Sequence, residues 1–217
     1  MWARASTLRL PTEPLLIGGP GRFASLSSPA RGRAADRLGG QGALLDSQVS
    51  ARVGIDFGGV IVRNLKEVPG EDTGLAFSAG LHVARDGAYD AIRRIVAACD
   101  GRVWIVSKAG PRMQARTLAW LDAVEFFSRT DLEPDNVRFC LQREDKERIC
   151  RDLGITHFID DRVHVMQILR GTVQHLYLLG EPGGEKFCPP WATFASSWPE
   201  VVDLVIRSVR KDRPTRE

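Results

Sequence analysis

From Arg52 onward, short unbroken apolar runs alternate with stretches whose apolar residues recur every three or four positions. Val53, Gly54 and Ile55 predict a short buried strand running into Asp56. Asp86 stands where it would cap a helix whose apolar face is Tyr89, Ile92, Ile95, Val96 and Cys99, with Arg93 and Arg94 turned outward and Gly101 past its end. Val103 to Val106 predicts a second buried strand that delivers Ser107 and Lys108 at its C-terminal end. Pro111 suits the first turn of the next helix, where its missing N–H costs nothing, and Met113, Thr117, Trp120, Leu121 and Val124 share one side of that helix. Val137–Leu141 is a third strand, Glu144–Leu153 a helix stopped by Gly154, and Thr156–Ile159 a fourth strand ending on Asp160 and Asp161. Helix Val163–Arg170, strand Gln174–Leu178 and helix Trp198–Val209 follow.

Strands that are continuously apolar, separated by helices, imply a parallel sheet covered on both sides. The expected architecture is therefore α/β: a three-layer, Rossmann-like parallel sheet with helices on both faces. Ligands in such sheets sit at the carboxyl ends of the strands. That rule singles out Asp56, Ser107, Lys108, Asp160 and Asp161, each of which directly follows an apolar run.

Composition divides the chain in two. Residues 1–50 hold eleven Gly or Pro, six Arg, no Lys and three acids, with no sustained apolar period. They are expected to be a disordered N-terminal extension. Its opening, MWARASTLRLPT, has the acid-free, Arg- and hydroxyl-containing character of an organelle transit peptide. A start codon assigned too far upstream is the other reading. The chain is accordingly expected in the cytoplasm, or in a mitochondrion or plastid if the extension is a targeting segment. Residues 51–217 form the regular α/β domain and balance 24 basic against 24 acidic residues, so a general nucleic-acid surface is not supported. No apolar run approaches the ~18 residues of a membrane span. The four cysteines (Cys99, Cys140, Cys150, Cys188) include no CxxC pair, which excludes a zinc ribbon and a thioredoxin-like motif and leaves buried thiols in a reducing compartment. The four histidines (His82, His157, His164, His175) do not fall at metal-ligand spacing. Trp191, in the turn Cys188-Pro189-Pro190-Trp191, either packs beneath that turn or lines a ligand site.

Three carboxylates at one sheet edge repel one another unless a cation lies among them, and a hard cation such as Mg²⁺ suits oxygen donors. Ser107 adds a hydroxyl, and Lys108 or Lys146 a positive charge. Acids with a metal, a hydroxyl and a lysine are what phosphoryl transfer requires, because its catalysis is mostly positioning and charge neutralisation.

VGIDFGGVIV (53–62), IVSKAG (105–110), Lys146 and HFIDDR (157–162) resemble the four ordered motifs of the haloacid dehalogenase (HAD) superfamily, across roughly residues 52–180. The resemblance implies that Asp56 is a nucleophile carrying the phosphoryl group as an aspartyl phosphate. It implies that Ser107 hydrogen-bonds that group and that Lys146 steadies the nucleophile. Asp160 and Asp161 would hold Mg²⁺ together with Asp56 and the Gly58 carbonyl, while Gly58, Gly59 and Lys108 would face a small phosphorylated substrate. One position departs from the pattern. Phosphatases of this superfamily usually carry a second Asp two residues after the nucleophile, to protonate the leaving group, and here that residue is Gly58. General acid–base help is typically worth ~10²–10⁴-fold. Either the leaving group needs no proton, as in acyl phosphates, phosphonates or halides, or Glu71, Asp72 or His82 substitutes. The third option is a catalytically silent module that binds phosphorylated ligands.

About 24 residues separate the first motif from the first helix (Arg63–Asp86), too few for a helical cap domain, so a minimal cap and an open site are expected. VGIDFGGV also resembles the first phosphate loop of actin-like sugar kinases, but the second domain and second Asp-x-Gly loop of those proteins are missing. Asp56-Phe57-Gly58 matches the metal-binding tripeptide of protein kinases without their other loops, and GGPG (18–21) lacks the ending of a phosphate loop.

Overall fold

The structure, a computed structural model, describes residues 51–63 and 83–212. The expected N-terminal extension, with its targeting alternative, and the substitute acids Glu71, Asp72 and His82 lie outside the described residues.

Six strands form one sheet: β1 (Val53–Ile55), β2 (Val103–Lys108), β3 (Val137–Cys140), β4 (His157–Asp160), β5 (His175–Leu179) and β6 (Thr193–Ala195). Their spatial order is β3-β2-β1-β4-β5-β6, and every pairing is parallel. The helices are α1 (Ala88–Ala98), α2 (Pro111–Ala123), α3 (Phe126–Thr130), α4 (Asp145–Leu153), α5 (Val163–Leu169) and α6 (Trp198–Lys211). The chain works outward from β1 to β3 on one side, then crosses back so that β4 lies against the other edge of β1. The strand order thus reverses between β1 and β4, and in such sheets the crevice at the reversal is where ligands bind.

Alternation along the strands sorts the core into two layers. Val53, Ile55, Val103, Ile105, Ile159, Tyr177 and Leu179 pack with the apolar faces of α1, α2, α3 and α6. Trp104, Val106, Phe158, Leu176 and Leu178 point the other way and pack with Cys150 of α4 and Val165, Met166 and Leu169 of α5. Successive strand residues face opposite sides, so a run apolar at every position has a helix layer to bury on each face. Each fully buried Ile or Val contributes about 1.5–3 kcal/mol. Gly54 is required within β1, because a Cβ there would lie 2.4 Å from Cδ2 of Phe158. The Phe158 ring occupies that space and has the Lys146 ammonium 5.3 Å from its centroid. Trp191 packs partly buried against the second layer, with the Arg170 guanidinium 5.1 Å from its ring centroid, and its remaining surface lines a shallow cavity with Thr172 and Gln174.

Several local expectations are corrected. Asp86 does not cap α1. Gly87 takes that position with φ +79, one residue later, and the Asp86 carboxylate instead accepts from Arg63 Nη2 at 2.6 Å. Gly101 does lie past the helix, where its N–H donates to Val96 O at 3.0 Å. Strand β3 stops at Cys140, leaving Leu141 exposed, and β5 runs one residue further than expected, to Leu179. Helix α3 and strand β6 were not expected. Five and three residues respectively are too short to show a period, and α3 is bounded by Glu125 and Asp131 with φ near +55, a backbone that non-glycine residues seldom adopt. Helix α6 has a reciprocal cap: Ser197 Oγ accepts from Glu200 N, and the Glu200 carboxylate accepts from Ser196 N at 2.8 Å. Cys99, Cys140 and Cys150 are buried and Cys188 is half-buried, all as free thiols.

Two of the histidines, far apart in sequence, meet in space. His157 and His175 are register partners on β4 and β5, and their rings stack with centroids 4.5 Å apart. Pairing of parallel strands brings together residues that no spacing rule links. Among the described residues no helix is long and apolar enough to cross a membrane.

Candidate active site

Asp56 is the first residue beyond β1, and its N–H still donates to Ile159 O of β4 at 2.9 Å, so the strand pairing itself aims it at the crevice. The chain then turns at once. Phe57 O accepts from Ile61 N and Val62 N at 2.9 and 3.1 Å, and Gly59 N donates to Val62 O at 2.8 Å with φ +88 at Gly59. A non-glycine residue would be strained at that φ. The turn is held from outside as well: Arg85 Nη1 donates to Gly59 O at 2.8 Å, and Trp198 Nε1 donates to Val60 O at 3.1 Å. Arg85 also pairs with Glu181. The chain returns beside this turn, where Arg63 N donates to Val83 O and Arg85 N to Ile61 O, at 2.8 and 2.9 Å.

Lys146 lies in the first turn of α4 with its side chain only 2% exposed. Its ammonium donates to Asp56 Oδ1 at 2.9 Å and to Asp160 Oδ2 at 2.8 Å. Asp160 closes β4 fully buried, and its other oxygen accepts from Arg162 N at 3.0 Å. Asp161 follows, half-buried; one carboxylate oxygen from each of Asp56, Asp160 and Asp161 lies within 4.8 Å of the others. Ser107 is buried near the end of β2, the strand on the far side of β1 from Asp160. Gly58 is half-buried, with no heavy atom within 4 Å of the place a Cβ would occupy.

Two buried carboxylates share the Lys146 ammonium, and a third, Asp161, lies beside them with the Arg162 guanidinium 3.7 Å away. Burial, reinforced by the Asp56 charge and opposed by Lys146, pushes the Asp160 carboxyl above the usual carboxylate range. Burial alone would discharge Lys146, but Asp56 and Asp160 outweigh it and hold the ammonium above its ordinary range. The cluster is therefore suited to take up a proton or a cation.

Of the residues singled out from sequence, Asp56, Lys146, Asp160 and Asp161 converge, with Ser107 on the adjoining strand and Gly58 and Gly59 in the turn. Between the two lysines offered for the positive charge, the geometry selects Lys146; Lys108 is exposed at the end of β2. Sequence reasoning missed Arg85 and Trp198. Their contacts to the Gly59 and Val60 carbonyls span 26 and 138 residues and leave no local pattern.

No family model matches the chain, and a search of curated proteins finds no match. Among solved structures, the chain is similar to a Vibrio cholerae protein assigned as a 3-deoxy-D-manno-octulosonate 8-phosphate phosphatase. The two share 13% identity at a TM-score of 0.44, over 80% of this chain and 93% of that one.

Proposed function

We propose that the chain is a magnesium-dependent hydrolase of the haloacid dehalogenase type, a phosphohydrolase working through phospho-Asp56 on a small phosphorylated substrate. The observation that carries the reading is Lys146 clamped between Asp56 and Asp160 at the strand-order reversal, with Asp161 beside them. The donor set fits Mg²⁺: three carboxylates that crowd together, one of them fully buried, offer the hard oxygens this ion prefers. Asp56, Asp160 and Asp161 would hold it, with the Gly58 carbonyl as the further donor that the resemblance suggests. When bound, it supplies charge neutralisation for the phosphoryl oxygens.

The chain's own residues supply the rest. Lys146 occupies Asp56 Oδ1, which leaves Oδ2 to attack phosphorus. An O–P bond forms to Asp56 as the bond from phosphorus to the leaving group breaks with its electron pair. Water then adds to phosphorus, displacing the Asp56 carboxylate and releasing inorganic phosphate. Ser107 donates a hydrogen bond to the transferring group, and Gly59 and Lys108 border the substrate at the mouth. Gly58 offers no proton to the leaving group, so the favoured substrates are those whose leaving group departs as a stable anion, acyl phosphates first. A minimal cap would leave the site open to substrates of varied size.

The same Gly58 motivates a second reading, a silent module that binds phosphorylated ligands at this edge. Steady-state hydrolysis of an acyl phosphate and an alkyl phosphate, with Mg²⁺ and with EDTA, decides between the two. Metal-dependent turnover that Asp56→Asn abolishes supports the hydrolase. Turnover no greater than that of Asp56→Asn on either substrate, with a phosphorylated ligand still bound, supports the module.

A further inference from the structure

At the other end of the sheet a second cluster of metal-binding side chains is present that the hydrolase reading does not use. His157 opens β4, three residues before Asp160 closes it, about 10 Å along the strand. His175 opens β5 in register with it, the two rings stacked at an interplanar angle of 28°. Both imidazoles point toward α6 and the residue that follows it. His175 Nε2 lies 2.9 Å from Asp212 Oδ2, and His157 Nε2 lies 3.0 Å from Ser208 Oγ. One ligating atom from each of His157, His175 and Asp212 falls within 4.8 Å of the others.

We propose that His157, His175 and Asp212 form a second cation site, for a first-row transition metal of the Zn²⁺ class, at the sheet end opposite the acidic cluster. Two imidazoles and one carboxylate match the ligand preference of Zn²⁺ and its neighbours and are a poor set for Mg²⁺. A tetrahedral ion with bonds of ~2.0–2.1 Å sets its ligand atoms about 3.3 Å apart, a spacing the His175–Asp212 pair at 2.9 Å already approaches and the 4.8 Å span of the three brings within reach of small side-chain shifts. The His175 and Asp212 side chains, each 28% exposed, have room for that movement and give the ion a way in, while buried His157 is the fixed anchor.

The outer contacts are those of a ligating histidine. Thr156 Oγ1 lies 2.7 Å from His157 Nδ1, fixing the ring and leaving Nε2 for the metal. Ser208 Oγ donates its one proton to Val205 O at 2.8 Å and has Tyr177 OH at 2.6 Å, so toward Nε2 it accepts. In the metal-free ring the proton of that contact sits on the neutral imidazole; binding at Nε2 takes the other tautomer, with the proton on Nδ1 donating to Thr156 Oγ1. The site stands independently of the phosphohydrolase reading.

The test is a Co²⁺ titration of the full chain in excess Mg²⁺, so that the acidic cluster holds its hard cation, followed through the visible ligand-field absorption. One equivalent of Co²⁺ should develop the bands, and Zn²⁺ should discharge them. His175→Gln and Asp212→Asn, both at partly exposed positions, should each weaken binding by at least ~100-fold, and Thr156→Val by ~10–100-fold. Asp160→Asn should leave the bands in place. Absence of visible bands, or bands that survive both His175→Gln and Asp212→Asn, would overturn the proposal.

Discussion

Gly58→Asp tests the chemistry most directly, because it adds a function where every other substitution removes one. A Cβ at Gly58 meets no heavy atom within 4 Å, and the backbone there lies outside the left-handed region, so neither crowding nor strain opposes a side chain. The new carboxyl would stand two residues from Asp56, and a neighbouring carboxylate favours its protonated form. A carboxyl kept protonated near neutrality is what a leaving-group acid needs. General acid help of ~10²–10⁴-fold corresponds to about 2.7–5.4 kcal/mol of transition-state stabilisation. The assay compares kcat/KM of wild type and Gly58→Asp, with Mg²⁺, on an alkyl phosphate and on an acyl phosphate. Turnover of the alkyl phosphate should rise at least ~100-fold, whereas the acyl phosphate, whose leaving group needs no proton, should change less than about tenfold. Equal gains on both substrates would refute the leaving-group argument. So would a folded variant that still cleaves the acyl phosphate but gains nothing on the alkyl one.

Further outcomes follow from the same contacts. Lys146→Met strands two carboxylates around a site the ammonium filled, and breaking a buried pair costs about 3–5 kcal/mol; urea melts in EDTA should show the loss, and Mg²⁺ should restore part of it. Gly54→Ala drives a methyl against Phe158 and should cost about 1–3 kcal/mol, read as a lower thermal midpoint. Burial, with His175 adding to it, lowers the His157 pKa to about 4 from the ordinary 6.5. With metal chelated, the stability this neutral ring contributes is complete above pH 6.5 and falls away as pH drops toward 4, by roughly 3 kcal/mol in all; denaturant midpoints across that window should flatten in His157→Asn. Ser197→Ala removes the cap of α6 and should cost about 1 kcal/mol by the same melts.

The parts of this molecule legible in its sequence are those in which a local signal and the tertiary role coincide. Asp56 and Asp160 each follow an apolar run, and that position alone places them at the carboxyl edge of the sheet. Lys146 was readable through its place in the motif order, although its distance to Asp56 had to come from the fold. The layers were readable because a run apolar at every residue needs cover on both faces. What escaped depends on pairing over long distances or on unusual backbone. His157 and His175 meet only once β4 and β5 are in register. Asp86 looked like a cap, but Gly87, free to take a positive φ, starts the helix and releases the carboxylate to Arg63. Helix α3 is framed by two acidic residues in left-handed conformation, which composition does not disclose.

The short central strand β1 has a consequence for when the acidic cluster assembles as the chain folds. Its three residues pair with β2 across a separation of 50 positions and with β4 across 104. The pairs β2–β3 and β4–β5 close over shorter spans, and closing longer loops adds entropy cost while slowing folding. The two halves of the sheet can therefore form before β1 is clamped between them, and Asp56 arrives with that last seam. Refolding should restore helical signal first and Lys146–Asp56 contact last, so that an intermediate nearly complete in secondary structure still lacks the assembled carboxylate–ammonium cluster.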